Sequence, residues 1–362
     1  MIDMCTRVMT IAFLLNPCLF EDCPDAVSGS TTIHFARLFH HRNTAVAAKQ
    51  ANRQDHGDHP IISIVSDETS HLLEFSAHGR IRATGEDRAR LIHALSTNHI
   101  EQLHPGEGAY AFFLNSAGRI LADAHILCYP DSLLIDVEVE TRGSIVAHID
   151  RYIIAEDVTL EDITDQTFSF GVEGASAAAF LARLNVPLPE AKESHLAWED
   201  LTVAAISATG AGGYRIYGPV LRKDEIWQCF VIAGAKKASL HVLRVEHFQP
   251  RYGEDITQKT LPQETALPQA LHFQKGCYLG QEIVERVRSR GLVSRMLSGL
   301  MFDAEGAPEP GTKVIAGDAK AGEITSSHGH HAIAMLRVQN IKPGTELTAA
   351  GRRAVTRPIA GG

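Results

Sequence analysis

The sequence is poor in cysteine, carries no excess of positive charge and lacks a long hydrophobic run. Six cysteines occur among 362 residues and no two form a C-x-x-C pair, so neither a zinc site nor a disulfide framework is indicated. No bound metal is therefore expected, and a reducing cytoplasm is the simplest compartment. The net charge of -9 argues against the basic surface that bulk nucleic-acid binding requires.

An apolar stretch at residues 8–20 is too short to span a membrane, so no membrane association is expected. Arg7 and this stretch have the order of the n- and h-regions of a signal peptide. Asn16 and Pro17 interrupt the stretch, however, and no A-x-A cleavage site follows. Residues 1–60 are predicted to be a leader, poorly ordered or helical, and an over-long start or a poorly ordered leader is favoured over a targeting signal.

What is present is an ordinary globular composition, with 44% hydrophobic and 21% charged residues and enough length for two or three domains. Apolar periodicity and glycine-containing turns predict a mixture of antiparallel strands and helices, which indicates an α+β fold rather than a parallel sheet. The first half has predicted strands at 61–65, 72–75, 106–115, 120–129 and 132–139, and predicted helices at 33–52, 87–96 and 142–153.

The second half divides into two smaller parts. Residues 158–174 and 203–219 are strand-rich, and the segments 175–184 and 223–233 are helical. This β-α-β-β-α order is typical of a ferredoxin-like lobe. After Gly291 the chain changes to short apolar runs between glycine and proline turns, which predicts a small all-β barrel.

The most informative stretch surrounds Cys277. Gly276 and Gly280 flank it and allow a positive φ or a close backbone approach, so Cys277 is expected on a tight loop. A helix would begin at Gln281, and its N-terminus, together with Lys275 if that side chain approaches, would favour a thiolate. Local chemistry leaves two interpretations open: a reactive thiol, or a small buried hydrophobic residue.

The same stretch resembles a known signature. Residues 275–282 match the pattern K-G-C-[YF]-x-G-Q-E of the YgfZ family, folate-binding proteins that are related to the glycine-cleavage T-protein and implicated in iron–sulfur cluster maturation. Only one position of the signature is free, so a chance match is improbable. The resemblance implies that Cys277 is a functional thiol and that its neighbours contribute: Lys275, Gly276, Tyr278, Gly280, Gln281 and Glu282.

The first half is similar to the T-protein superfamily in a G-x-D turn at 85–87 and an L-N-x-x-G-x-I-x-x-D motif at 114–123. The resemblance implies folate-binding roles for Asn115 and Asp123, because a carboxylate can pair with the donor edge of a pterin. True aminomethyltransferases usually carry two adjacent aspartates where this chain has Ala122 and Asp123, which puts the acid–base apparatus of that reaction in doubt. By itself, Asp123 also fits a strand-end aspartate that faces water.

Two later motifs carry the remaining candidate folate residues. Residues 209–216 resemble the T-G-x-x-G-Y-x-I loop that borders the folate pocket, which implicates Tyr214, although a plain hairpin turn fits equally well. The run from residue 243 resembles L-R-x-E-x-x-x-P-x-[YF]-G-x-D, which implies that Glu246 hydrogen-bonds the pterin beside Arg244. On a strand these two residues would face one pocket, but they also fit a surface ion pair of little energetic value.

Two charged tracts remain. The histidines near residue 330 are predicted to cap a hairpin rather than bind a metal, because no carboxylate or cysteine cluster is near them in the sequence. A basic strip either meets the carboxylates of a folate or of an acidic partner, or is a solvated helix face. The strip consists of Arg286, Arg288, Arg290 and Arg295.

The resemblance covers about residues 61–356 and implies a three-lobed, T-protein-like α+β fold with a ferredoxin-like lobe and a C-terminal β-barrel. The expected divisions are a leader at 1–60, a split folate-binding domain at 61–155 with 241–291, a ferredoxin-like lobe at 156–240 and the barrel at 292–362.

The implied function is that of a tetrahydrofolate-binding protein that assists iron–sulfur cluster assembly or repair. A monomer is expected, with assembly proteins or client enzymes as its partners. One cysteine cannot hold a cluster alone, so no stably bound cluster is expected. Two alternatives stay open: a folate-dependent aminomethyl- or methyltransferase, and a non-catalytic scaffold for which folate is only a structural or sensing ligand.

Overall fold

The structure is a computed structural model that describes residues 69–291, 293–304 and 306–360. The predicted leader, the helix predicted at 33–52 and the strand predicted at 61–65 lie outside these residues. Within them, no helix is both long and apolar enough to cross a membrane. The helices are α1 Arg88–Leu95, α2 Arg142–Asp150, α3 Ala177–Arg183, α4 Lys223–Ile232, α5 Leu240–Glu246 and α6 Gln281–Arg290.

The strands follow the antiparallel pattern that the sequence predicts for its first half and its C-terminal part. Those of the two sheets are β1 His71–Glu74, β2 Gly79–Thr84, β3 Gly108–Leu114, β4 Ile120–Cys128, β5 Ser132–Val137, β6 Thr159–Asp162, β7 Thr167–Glu173, β8 His195–Trp198, β9 Leu201–Ala204, β10 Gly213–Pro219 and β11 Lys236–Lys237. Those of the barrel are β12 Arg295–Phe302, β13 Lys313–Ala316, β14 Ala319–His328, β15 His331–Arg337, β16 Glu346–Ala349 and β17 Arg352–Arg357.

The first sheet has the strand order β3-β4-β5-β2-β6, and the helices α1 and α2 cover one of its faces. Side chains alternate along β4, so that Ala122, Ala124 and Ile126 join the core beneath these helices. The residues between them point to the opposite face. Asp123 and His125 are therefore directed towards the second sheet.

The second sheet has the order β11-β1-β7-β10-β9-β8. Its β1 comes from the predicted first domain and pairs with β7, whereas β6, from the predicted second lobe, pairs with β2 of the first sheet. The two sheets thus exchange strands across the predicted boundary at residues 155 and 156. The exact domain limits stay a prediction.

The C-terminal part is a closed barrel with the order β12-β15-β14-β13-β16-β17. This confirms the predicted barrel, to which β17 adds a strand that the sequence pattern did not indicate. His328 pairs with His331 at the end of the β14–β15 hairpin. The histidine tract therefore caps a hairpin, as predicted.

A buried ion pair joins the two sheets. The Arg215 guanidinium on β10 donates to Asp136 Oδ2 on β5 at 3.0 Å, and the Tyr217 hydroxyl donates to the same oxygen at 2.6 Å. Arg215 also lies over the Phe75 ring, 3.7 Å from its centroid. These partners hold the pKa of Asp136 well below its usual range, against the opposing effect of burial.

A second buried pair fixes α5 against the barrel. Arg244 on α5 donates to Asp255 Oδ2 at 2.7 Å, and the other oxygen of Asp255 accepts from Ser326 of the barrel at 2.7 Å. The strand suggested for residues 240–246 is wrong, because the segment is this helix. Leu240 and Leu243 lie three residues apart and pack on the core around Leu73, a spacing that suits one face of a helix.

Replacing Asp136 by alanine should destabilise the protein by roughly 3–5 kcal/mol, because the substitution leaves the Arg215 charge buried without its carboxylate. Urea unfolding of both proteins measures this difference. The matched control is Glu346→Ala, which removes a partner of Arg353 from an exposed pair and should change the stability little. Equal losses in the two variants would show that the Asp136 pair does not join the sheets energetically.

Candidate functional site

A cavity of about 730 Å³ is lined by side chains of both sheets, within the size range of small-molecule sites. The first sheet contributes Tyr110, Asp123, His125 and Asp136, and the second contributes Arg215. The glycine-rich loop around residue 211 and the segment at 249–251 also contribute to the lining. The wall is therefore rich in ionisable and hydrogen-bonding groups.

The Oδ2 of Asp123 accepts a hydrogen bond of 2.7 Å from the Tyr110 hydroxyl, and the Oδ1 is buried without a hydrogen-bond partner among the described residues. Burial raises the pKa of this carboxyl, and the bond from Tyr110 opposes that effect. A buried oxygen without a partner carries an energetic cost that a donor from a ligand would remove.

Ala122 lies on the opposite face of β4 from Asp123. It is fully buried in the apolar core beneath α1 and α2. A carboxylate at this position would point into that core and not into the cavity. The absence of a second aspartate therefore removes no cavity group, which weakens the inference that the acid–base apparatus is incomplete.

The glycine-rich loop lines the cavity and carries Tyr214, which also lines it. A buried carboxylate holds the loop in place: Glu173 accepts from the Ser207 hydroxyl and the Ala208 N–H, each at 2.8 Å. The loop does include a turn, yet its position on the cavity wall agrees with the pocket-bordering interpretation. The role of Tyr214 in binding stays a prediction.

Arg244 and Glu246 have different positions from those expected. Arg244 lines the cavity, but its guanidinium is engaged with Asp255, Glu254 and Ser326. Glu246 is exposed at the end of α5 and is not among the cavity-lining residues. This geometry gives no support to a contact between Glu246 and a pterin.

Asn115 lies at the β3–β4 turn rather than in the cavity. Its side-chain oxygen accepts from the Ala117 N–H at 2.9 Å and the Arg119 N–H at 3.0 Å, so it stabilises the turn. This turn abuts the Cys277 loop. A Cβ on Gly280, which has a φ of 83°, would lie 2.7 Å from the Asn115 carbonyl oxygen, so only glycine fits there.

Cys277 lies on an exposed loop before α6 and does not line the cavity. Gly276 and Gly280 have positive φ values of 90° and 83°, which confirms the predicted tight loop, and Gln281 begins the predicted helix. Tyr278 is buried beside the thiol-bearing turn and packs with the core beneath the barrel.

Lys275 points away from Cys277 and caps the C-terminus of α1. Its ammonium donates to the Ser96 carbonyl at 2.6 Å and to the His93 carbonyl, while the Leu279 N–H donates to the Ala94 carbonyl at 3.0 Å. These are the carbonyls that a helix leaves without partners at its end. Lys275 therefore positions the loop and does not approach the thiol.

Arg286, Arg288 and Arg295 of the basic strip have partners within the chain. Arg286 pairs with Glu282, and Arg288 lies over the Phe273 ring at 4.3 Å while facing Glu285. None of the four strip arginines lines the cavity. Within this helix the solvated-face interpretation fits better than contact with a ligand in the cavity.

A model of the GCVT N-terminal domain matches residues 65–275, more than half of the chain. The chain belongs to the GCVT family. A model of the CAF17 C-terminal beta-barrel domain matches residues 293–359, where the closed barrel lies. The combination agrees with the resemblance to the YgfZ family that the Cys277 motif indicates.

Relatives of this GCVT-family chain include a chloroplastic candidate transferase of Arabidopsis thaliana, 26% identical, with 76% of this chain and 67% of the relative covered. An aminomethyltransferase of Thermosynechococcus vestitus is 26% identical over 70% of this chain and 72% of its own length. The crystal structure of aminomethyltransferase T of the Bartonella henselae glycine cleavage system superposes with a TM-score of 0.72 at 18% identity, covering 80% of this chain and 85% of that one. The T-protein-like fold is thereby confirmed.

Several residues of the cavity wall could not be predicted from the sequence. Arg215 and Asp136 carry no local signal, since 79 positions separate them and only the packing of the sheets brings them together. Glu138 Oε2 lies 2.8 Å from the Arg251 guanidinium, and this ion pair also joins residues that are far apart in the sequence. His125 had a usable signal, because it follows Asp123 by two residues on one strand face.

The buried Lys275 leads to a prediction about how the free energy of unfolding depends on pH. Burial lowers the pKa of its ammonium to about 7, with Glu101 opposing, whereas an unfolded chain has a lysine pKa near 10.4. The unfolded state therefore binds more protons between these values, and the contribution of Lys275 to the free energy of unfolding rises with pH across that window. Lys275→Met should flatten this rise in urea unfolding measured at pH 7 and pH 9.

The matched control is Lys313→Met on the exposed face of β13, which should leave the dependence on pH unchanged. If Lys275→Met and wild type show the same change in the free energy of unfolding between the two pH values, Lys275 is charged throughout the window and its burial has no effect on its titration.

Proposed function

We propose that the cavity binds tetrahydrofolate and that the protein assists iron–sulfur cluster assembly or repair, with Cys277 as its functional thiol. The observation that carries the folate proposal is the buried Oδ1 of Asp123, which has no hydrogen-bond partner among the described residues. A pterin offers an amino group and a ring N–H, and such donors would satisfy this oxygen.

The size and the aromatic lining of the cavity also fit the ligand. The cavity volume of about 730 Å³ is large enough for a bicyclic ring with a further aromatic group. Tyr110 and Tyr214 supply aromatic surface on the wall beside Asp123. When bound, tetrahydrofolate supplies a one-carbon acceptor. The protein groups bind the ring, orient it and exclude water from it.

The proposed role of the Cys277 thiol towards a partner is supported by the position of Cys277 outside the cavity lining. Cys277 is exposed, on a loop whose backbone is fixed by Lys275 and by the turn at Asn115. The described residues contain no group of three or more histidine, cysteine, aspartate or glutamate side chains arranged to hold a metal. A thiolate here would serve as a soft ligand to a cluster whose remaining ligands a partner protein supplies.

A second candidate function is a folate-dependent aminomethyltransferase. The observation that favours it is the orientation of Ala122, which faces the apolar core, so the cavity keeps the carboxylate that faces a ligand. Relatives named aminomethyltransferase support the same candidate. Turnover with a lipoyl carrier protein would distinguish the two, because a maturation protein needs no such carrier.

Asp123→Asn should weaken binding of 5-formyltetrahydrofolate about tenfold in isothermal titration calorimetry. The substitution replaces a carboxylate, which accepts at both oxygens, by an amide that accepts at only one, and the loss of one such bond costs about 1.5 kcal/mol. Asp131→Asn on the exposed β4–β5 turn is the control and should bind as wild type. An unchanged affinity in Asp123→Asn would remove Asp123 from the binding site.

Cys277→Ser should fail to restore the activity of cluster-containing enzymes in cells that lack their own homologue. A hydroxyl cannot replace the thiolate as a nucleophile or soft ligand. Cys128→Ser is the matched control: its buried thiol faces the Leu103 carbonyl at 3.5 Å, so a hydroxyl keeps an acceptor there. If folded Cys277→Ser restores activity as well as wild type does, the thiol proposal fails and folate binding alone remains.

A further inference from the structure

His125 lies two residues after Asp123 on β4 and points to the same face, into the cavity. Its Nδ1 is 2.8 Å from Glu193 Oε2, so one nitrogen of the ring is engaged with a carboxylate. No described residue forms a hydrogen bond with the other nitrogen, Nε2. Such a pairing leaves Nε2 available to a ligand.

The backbone around Glu193 is built to hold that carboxylate in place. Glu193 has a φ of 62°, a left-handed conformation that non-glycine residues adopt at a cost and that clusters at functional sites. Its carbonyl oxygen approaches Gly108 so closely that a Cβ there would lie 2.5 Å away. Its N–H donates to the Ala205 carbonyl at 3.1 Å. The strained residue is therefore fixed against both sheets.

Several charged groups face His125 from the surrounding elements. Burial acts to lower its pKa, but the charge and the hydrogen bond of Glu193 outweigh that effect and raise it. Asp136 on β5 acts in the same direction, Arg215 on β10 opposes it, and Asp123 lies on the same strand. The Tyr110 ring packs beside the imidazole at 5.0 Å between centroids.

We propose that His125, oriented by Glu193, donates its Nε2–H to a carbonyl or ring-nitrogen acceptor of the ligand while the neighbouring Asp123 accepts from it. The ligand class is a heterocycle with a lactam edge, in which a carbonyl and a ring N–H are adjacent, and the pterin of a folate has such an edge. Alternate residues of a strand lie about 6–7 Å apart at their backbone, so their side chains can converge on one ring edge. This inference rests on the proposed binding of folate.

The hydrogen bond exists only while His125 carries both protons, since Glu193 engages Nδ1 in either state. Affinity should therefore be full at low pH and fall as pH rises through the pKa of His125. A hydrogen bond from a charged donor is worth about 1.5–3 kcal/mol, which corresponds to a loss of roughly ten- to a hundredfold. Titration calorimetry with 5-formyltetrahydrofolate between pH 5.5 and pH 9 measures the midpoint.

Two variants locate the titrating group. Glu193→Gln keeps an acceptor for Nδ1 but removes the charge, so the midpoint should move to lower pH while the affinity well below it stays unchanged. His125→Gln should bind about tenfold or more weakly at low pH and show no midpoint. His104→Gln, at an exposed histidine outside the cavity, is the control and should match wild type.

The outcomes separate the two proposals. If wild type does not bind the folate at any pH, the proposed function fails. If wild type binds but the profile is flat, or if the midpoint is the same in wild type, Glu193→Gln and His125→Gln, folate binding stands and the role of His125 is overturned. Should Glu193→Gln not fold, the loss of the midpoint in His125→Gln still decides the question.

Discussion

The buried ion pair of Asp136 and Arg215 fixes the distance between the two sheets, and the cavity depends on that distance. Both side chains are almost fully buried, so each charge requires the other and the hydrogen bond that Tyr217 adds. Because the pair lies in the cavity wall, the same constraint gives the site a polar and rigid lining. A ligand would meet groups that are already oriented.

The segment 96–99 connects this cavity with the Cys277 loop. On one side it hydrogen-bonds the edge strand β3, where the Thr97 N–H donates to the Phe112 carbonyl at 3.0 Å, and on the other the His272 N–H donates to the Thr97 carbonyl. Residues 98 and 99 line the cavity, whereas the carbonyls just before them hold Lys275. The cavity and the Cys277 loop therefore share this segment as a common support.

Much of the architecture was readable from local patterns. The loop at Cys277, the helix from Gln281, the β3–β4 hairpin and the short strands of the barrel all depend on residues close together in the chain, whereas closure of the barrel pairs Gly299 with Arg357. The wrong expectations for the segment 240–246 and for Glu246 have a common origin. The segment 240–246 contains apolar residues that suit a strand or a helix, and packing of Leu243 on the core decided for the helix, which moved Glu246 to the surface.

The sequence by itself determined where glycine allows a tight turn, which residues share one face of a strand, and the motif around Cys277. These features follow from the stereochemistry of neighbouring residues. Tertiary structure alone decided which polar groups meet. Arg215 finds Asp136, and His125 finds Glu193, across 79 and 68 positions of the chain. No periodicity links such residues, since their contacts arise only when two sheets pack and buried charges select their partners.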